Sequence, residues 1–378
     1  VTSPAVFEEI KDQPFSSFIV ACLVFAAVNV TLLLCGGHNK AEALKNIRAA
    51  VTPEPIDKTF IAWTTKDWLG RTIVPAVVLM GSSQMAAATF DSEAQYLHQT
   101  IDCVQHRDIQ ILAESISAEA GYPVQVFNWS QSGAMISDDY LIASNLFKDP
   151  LKPAIVILGI SPRDFIDNTL PCAGSTETFR FFAHYDDLEP YASKAFPDFM
   201  SRLAWIIDSL PLQQFKQELR IVLRNLGHEL IYQKDSVFKD DDLTRVQPGK
   251  WQVSPEMPTF SDNTVEYLRR YKNPFPPMYQ LQQSFFEKFL SLMHDRSISV
   301  MVVGMPSLPM NRALLPKDFW NRWRSYVAVQ CNRYGDRWLD LSGSDNCKDD
   351  YLDTVHLNAT GGKKLMGALL NNYGFNKI

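Results

Sequence analysis

Two short segments of this chain carry the residue types that nucleophilic catalysis needs. In the first, Val77, Val78, Leu79 and Met80 run into Gly81, Ser82 and Ser83, and then into the helix-compatible Gln84 and Met85. A serine at the end of a strand is held rigidly and the glycine permits a tight turn. A helix starting there offers free N–H groups and partial positive charge to an oxyanion. Taken alone, such a turn is equally a plain helix cap. The second segment is Asp353, Thr354, Val355, His356, Leu357 and Asn358. A hydroxyl nucleophile needs a base, and histidine serves near neutral pH when a carboxylate orients its other ring nitrogen. Asp353 and His356 supply both from one loop, whose bland alternative is a polar turn before a helix capped by Asn358. Taken together, Ser83, His356 and Asp353 make a candidate triad for acyl transfer or ester hydrolysis.

For these segments to meet, the elements between them must wind into one sheet. Hydrophobic patterning predicts strands at 73–80, 124–128, 154–159, 297–304 and 337–341, and helices at 102–120, 138–147, 279–294, 317–334 and 359–373. Strands alternating with amphipathic helices imply a parallel sheet covered on both faces. The stretch 165–277 interrupts the pattern with more aromatic and charged residues, a helical section at 199–232 and a polar stretch at 239–258. Ligand crevices of parallel sheets lie outside the carboxyl ends of the strands, so an insertion there reads as a lid or docking surface. A structural embellishment is the other reading.

The chain has 378 residues, 46% of them hydrophobic, and a formal net charge of -6. This is enough to bury a large core, and without a Lys/Arg run it gives no footprint for nucleic acid. No repeat or low-complexity tract appears. Residues 15–35 contain no charged side chain. As a helix rising about 1.5 Å per residue, such a run matches the roughly 30 Å hydrocarbon core of a bilayer, and it is longer than a common secretory h-region. The expected organisation is a segment with a transmembrane anchor at 1–36, a stalk at 37–71 and an α/β domain at 72–378. Lys11 precedes the run while Lys40, Lys45 and Arg48 follow it, a balance that by itself mildly favours a cytoplasmic domain.

Other constellations carry less. Cys103, Cys172, Cys331 and Cys347 follow the anchor and are compatible with disulfides, Cys331 with Cys347 closing the shortest loop, or with buried thiols. Asp240, Asp241 and Asp242 match no calcium loop and read as a solvated turn. His98 and His106 read as polar helix positions rather than metal ligands. Trp320, Trp323 and Tyr326 follow a helical period and read as packing against the sheet. No metal or cofactor is expected.

The placement of the two segments, after the first and last strands with suggestive residues at the strand ends between, resembles the SGNH (GDSL-like) hydrolase superfamily over most of 72–378 outside the insertion. The resemblance implies a three-layer α/β/α, flavodoxin-like parallel sheet, Ser83 as nucleophile, and Asp353 and His356 completing the triad. The family's second block, Asn-x-Gly-x-Ser-Gly, corresponds to Asn128, Trp129, Ser130, Gln131, Ser132 and Gly133. Ser130 replaces the glycine whose N–H helps hold the oxyanion, and any residue but proline still carries that donor. The third block, which usually brings an Asn side chain, reads Leu158 to Phe165 with no Asn. Ser161 or Arg163 is then the substitute, or backbone groups act alone; losing one such donor costs about 10²–10³ in rate.

The Gly-Ser-Ser turn, the Ser161-Pro162 third block and the single N-terminal span are similar to the D-alanyl-transfer proteins of teichoic acid modification and to anchored SGNH proteins of bacterial glycan O-acylation. That narrower resemblance implies a domain on the extracytoplasmic side of the cytoplasmic (inner) membrane, beside a multispanning membrane-bound O-acyltransferase, acting on an envelope glycan or polymer. It also sets the side of the membrane against the charge balance. An SGNH fold kept as a catalytically silent accessory or assembly subunit is the alternative.

Overall fold

The computed structural model describes residues 19–20, 22–30, 59–167, 169–170, 172–183, 194–208, 251–271, 276–344 and 347–375. After helix α1 (Phe60–Gly70) come β1 (Val77–Gly81), α2 (Ser83–Leu97), β2 (Ile101–Asp102), α3 (Gln110–Ala120), β3 (Val126–Asn128), α4 (Ile136–Leu146) and β4 (Ile155–Ile160). α5 (Arg163–Ile166) leads into the interruption, which holds α6 (Glu177–Ala183), α7 (Phe199–Asp208), β5 (Gln252–Val253) and α8 (Thr264–Tyr271). The chain closes with α9 (Pro276–Asp295), β6 (Ser299–Gly304), α10 (Pro309–Arg312), α11 (Lys317–Tyr334), β7 (Arg337–Asp340) and α12 (Ala359–Tyr373).

Five strands pair in the order β3-β1-β4-β6-β7, all parallel. Counted along the sheet's own strands this is 2-1-3-4-5, the flavodoxin-like winding whose switch point falls between β1 and β4. Val77 lies beside Ile155 and Gly81 beside Gly159, so the first candidate segment ends at that crevice. Alternate residues feed opposite cores, as the two-residue period of a strand requires. Val78, Met80, Phe127, Val156 and Leu158 pack on one side. Val77, Leu79, Val126, Ile155 and Ile157 pack on the other.

Several boundaries differ from the expectation for identifiable reasons. β1 begins at Val77 rather than 73, because Pro75 has no N–H for a ladder and Ile73 points to solvent. α3 begins at Gln110 rather than 102: the Glu93 carboxylate accepts the Gln110 and Ile111 N–H groups at 2.9 and 3.1 Å, while Ile101 and Asp102 pair antiparallel with β5. The stalk assigned to 37–71 is corrected over its last part. α1 is capped by the Thr59 hydroxyl, which accepts the Ala62 N–H at 3.3 Å, and its Trp68 packs between Phe127, Trp129 and Phe147. Phe60 and Trp68 are buried and Trp63 is half-buried, so this part belongs to the folded domain, and 37–58 lie outside the described residues.

Of the predicted span 15–35, residues 19–20 and 22–30 are described; they are helical, with Ile19, Val20, Leu23 and Val24 exposed. Among the described residues no helix is long and apolar enough to cross a membrane. Asp240, Asp241 and Asp242, and the expected helix beyond Asp208, fall outside the described residues. Cys331 and Cys347 do not bond to one another: Cys331 is a buried free thiol, pushed up to about 12 by its burial, while the exposed Cys347 thiol donates to Asp350 at 3.4 Å. Cys103 is also a buried free thiol. Trp323 is fully buried against Phe165 and Trp338, a packing role.

Candidate active site

Ser83 is the first residue of α2, directly after the turn that leaves β1. That turn needs glycine at position 81. Its φ is +127°, and a Cβ there would lie 2.3 Å from the Gly159 carbonyl oxygen of the neighbouring strand. The N–H groups of Met85 and Ala86 both reach the Ser82 carbonyl at 3.1 Å, whereas those of Ser83 and Gln84 meet no acceptor among the described residues. Two orphan donors of the first helical turn are thus left beside the Ser83 hydroxyl.

The 352–358 loop delivers the other two groups. His356 Nε2 stands 2.8 Å from Ser83 Oγ, and His356 Nδ1 stands 2.6 Å from Asp353 Oδ2. A carboxylate only accepts, so Nδ1 carries the proton and Nε2 is left to accept the serine O–H. Asp353 Oδ1 takes the backbone N–H groups of Val355 and His356 at 2.9 and 2.8 Å. Burial alone would push the Asp353 carboxyl up; the hydrogen bond and charge of His356, with those two N–H groups, outweigh it and hold the carboxyl below its ordinary range. His356 and Asp353 keep side-chain exposures of 20% and 17%, so the series opens to solvent at one side.

The other predicted site residues are placed differently. Asn128 and Ser130 are fully buried: Asn128 Oδ1 accepts both the Ser130 N–H at 2.9 Å and the Ser130 hydroxyl at 2.5 Å, and Asn128 Nδ2 donates to Thr89 at 2.7 Å. The Ser130 N–H is therefore engaged, and the pair shapes the loop instead of facing a ligand. Ser161 also turns inward, its N–H and hydroxyl both donating to Asp164 Oδ2 at 2.7 and 3.1 Å. Arg163 is buried and directs its guanidinium to Asp167 at 2.9 Å, to the Ala134 carbonyl at 2.5 Å and to the Gly133 carbonyl at 3.3 Å. It clamps the second-block loop, its guanidinium turned to internal partners rather than to an oxyanion. Gly133 alone of this group stays open: it is exposed, with φ +79°, and its N–H and that of Ser132 meet no acceptor among the described residues.

Beneath the turn lie buried carboxyls that no motif in the sequence marks. Burial pushes Asp164 up, against the Arg163 charge and the Ser82 and Ser161 donors. Burial, with Asp138 and Asp164 as like-charged neighbours, pushes Asp139 well above its ordinary range. Asp91, two turns along α2 from Ser83, is pushed up to about 7 by burial, opposed by the His356 charge. Thr354, fully buried between the two loop members of the triad, hydrogen-bonds Asn263 of the insertion and Asn311 of α10. No sequence spacing announces contacts of this range. Among the described residues no group of His, Cys, Asp and Glu is arranged to hold a metal ion, and His106 instead bonds Glu93 at 3.1 Å.

No family model and no curated protein matches the chain. Among solved structures it is similar to Axe2, an acetylxylan esterase from Geobacillus stearothermophilus, at 10% identity and a TM-score of 0.35 over 80% of this chain and 95% of that one. A second is an active-site mutant of a family two carbohydrate esterase from Clostridium thermocellum, at 10% identity and a TM-score of 0.29 over 81% and 66%. Likeness at that level carries no argument about chemistry, which has to stand on the geometry of the site.

Proposed function

We propose that the chain is a serine esterase or O-acyltransferase working through a covalent acyl-Ser83 intermediate. The observation that carries this reading is the unbroken series Ser83 Oγ, His356 Nε2, His356 Nδ1, Asp353 Oδ2, with links of 2.8 and 2.6 Å. As Ser83 attacks an ester carbonyl, His356 takes its proton and Asp353 stabilises the imidazolium. The N–H of Ser83 is the donor nearest the developing oxyanion, and those of Ser132 and Gly133 are further candidates. The alkoxide then leaves with the proton from His356, and a second nucleophile, activated by the same imidazole, releases the acyl group. Water as that nucleophile makes an esterase, and a sugar hydroxyl makes a transferase.

The setting we propose is an envelope glycan or polymer as substrate, with the domain on the extracytoplasmic side of the cytoplasmic membrane. It would be tethered through residues 15–35 and work beside a membrane-bound O-acyltransferase. Supporting it are the uncharged N-terminal run and the resemblance of the Gly-Ser-Ser and Ser-Pro segments to anchored SGNH proteins. The assembled triad counts against a silent accessory subunit, which has no use for a serine poised on a histidine. A fluorophosphonate probe tests the reading: the protein should be labelled at Ser83 and the Ser83→Ala variant should not. Equal labelling of both, or none of either, would remove the proposal.

A further inference from the structure

The insertion contributes a helix that, with the residues just before it, joins the elements on either side of the site. α8 packs on α5, which follows β4, and on α10, which follows β6. At its start Asn263 turns its side-chain oxygen to Thr354 and accepts both the Thr354 N–H, at 3.1 Å, and the Thr354 hydroxyl. A backbone N–H can only donate, so the atom facing it is the amide oxygen, whose two lone pairs serve both donors. An asparagine preceding a helix ordinarily caps its own first turn. Here the neighbouring Asp262 accepts the Thr264 N–H at 2.9 Å instead, and the Asn263 side chain reaches across to the triad loop. Two residues earlier, the Ser261 N–H donates to the Leu352 carbonyl at 2.8 Å.

The far end of α8 leads to the other side of the site. Arg270 donates to Asp167 at 2.5 Å, Asp167 accepts from Arg163 Nε at 2.9 Å, and Arg163 holds the Gly133 and Ala134 carbonyls. Tyr267, buried between the two ends, feels the charges of both Arg163 and Asp353. One helix therefore ties the base-bearing loop to the loop bordering the oxyanion side. We propose that Asn263 is a positioning residue, through which α8 holds the 352–357 loop at the distance from Ser83 that proton transfer needs. The claim rests on the triad reading above.

Thr354 sits between Asp353 and His356 in the chain, so loosening its anchor lets the imidazole drift from Ser83. A displacement of about 1 Å at a reacting group costs about 10²-fold in rate. The test compares the full-length wild type with Asn263→Ala and Asn263→Asp. It reads kcat and KM on a small aryl acetate, and the proton resonance of His356 Nδ1 in protein carrying nitrogen-labelled histidine. Asn263→Ala should lower kcat about 10²-fold with KM nearly unchanged, and should broaden or abolish that resonance. Asn263→Asp keeps an acceptor oxygen and should recover most of both. Wild-type kcat and resonance in Asn263→Ala would overturn the proposal. Should that variant fail to fold, Thr354→Val and Thr354→Ser decide in its place: the loss must follow the missing hydroxyl in Val and be absent in Ser. A wild type without turnover or probe labelling would sink the triad reading, while the resonance comparison would still judge the positioning claim.

Discussion

Replacing Asp353 by asparagine separates how His356 is oriented from whether a side chain is present. In the native site Asp353 Oδ1 holds the Val355 and His356 N–H groups at 2.9 and 2.8 Å, and Oδ2 holds His356 Nδ1 at 2.6 Å. An asparagine has one acceptor oxygen and one NH₂. Both backbone groups can only donate, so they keep the oxygen and the NH₂ is turned onto Nδ1. Nδ1 must then accept, the ring proton moves to Nε2, and Nε2 points that proton at Ser83 from 2.8 Å away. The base is lost although every heavy atom stays in place. The same tautomer inversion in serine proteases costs about 10⁴ in kcat, or about 5 kcal/mol of transition-state stabilisation, and that is the loss expected here. Asp353→Ala imposes no tautomer, so it should keep more activity than Asp353→Asn while being less stable, with two N–H groups left unpaired. Steady-state kinetics on an aryl acetate together with thermal unfolding measure both quantities. An Asp353→Asn enzyme within about tenfold of wild type, or an alanine variant that is folded yet slower than the asparagine one, would show that Asp353 does not set the His356 tautomer.

Gly81→Ala forces a Cβ to 2.3 Å from the Gly159 oxygen at a φ of +127°, and should destabilise the domain by about 3 kcal/mol, read from denaturant midpoints. An unchanged midpoint would mean that the turn is not as tight as described. Burial pushes Asp138 up to about 7, so the folded state binds a proton that the unfolded chain has already released. Stability should therefore fall as pH rises from about 4 to about 7 and level off above. Asp336, also pushed up to about 7 by burial, adds to the same slope. Asp138→Asn should flatten part of it in a series of thermal midpoints across that range, and a slope identical to wild type would contradict the assignment.

Much of the sheet is legible because β1, β3, β4 and β6 are buried on both faces and read as short apolar runs: the expected 154–159 and 297–304 differ by only one or two residues from β4 and β6. The candidate triad lies in segments whose ends carry a glycine or a cap, Gly81 before Ser83 and Asn358 after His356. Harder were features whose meaning depends on distant partners. Trp68 falls in the expected stalk at 37–71, yet it packs on Phe127 of β3 and on Phe147 just beyond α4, contacts that no local pattern reveals. Asn128, Ser130, Ser161 and Arg163 lie at the expected strand ends, but type and position cannot say whether a polar group faces a ligand or its neighbour. In each of these four the partner proved internal. Asn263 was invisible for the same reason, its partner lying 91 positions away.

Covalent catalysis at this site requires Ser83 to carry an acyl group in the course of turnover. Rapid acid quenching of the full-length protein during hydrolysis of an aryl acetate, followed by peptide mass spectrometry, reads this directly. An acetyl group on the peptide containing Ser83, accumulating at the rate of the initial burst and missing from Ser83→Ala, is the predicted result. Turnover at the wild-type rate with that peptide unmodified would contradict it.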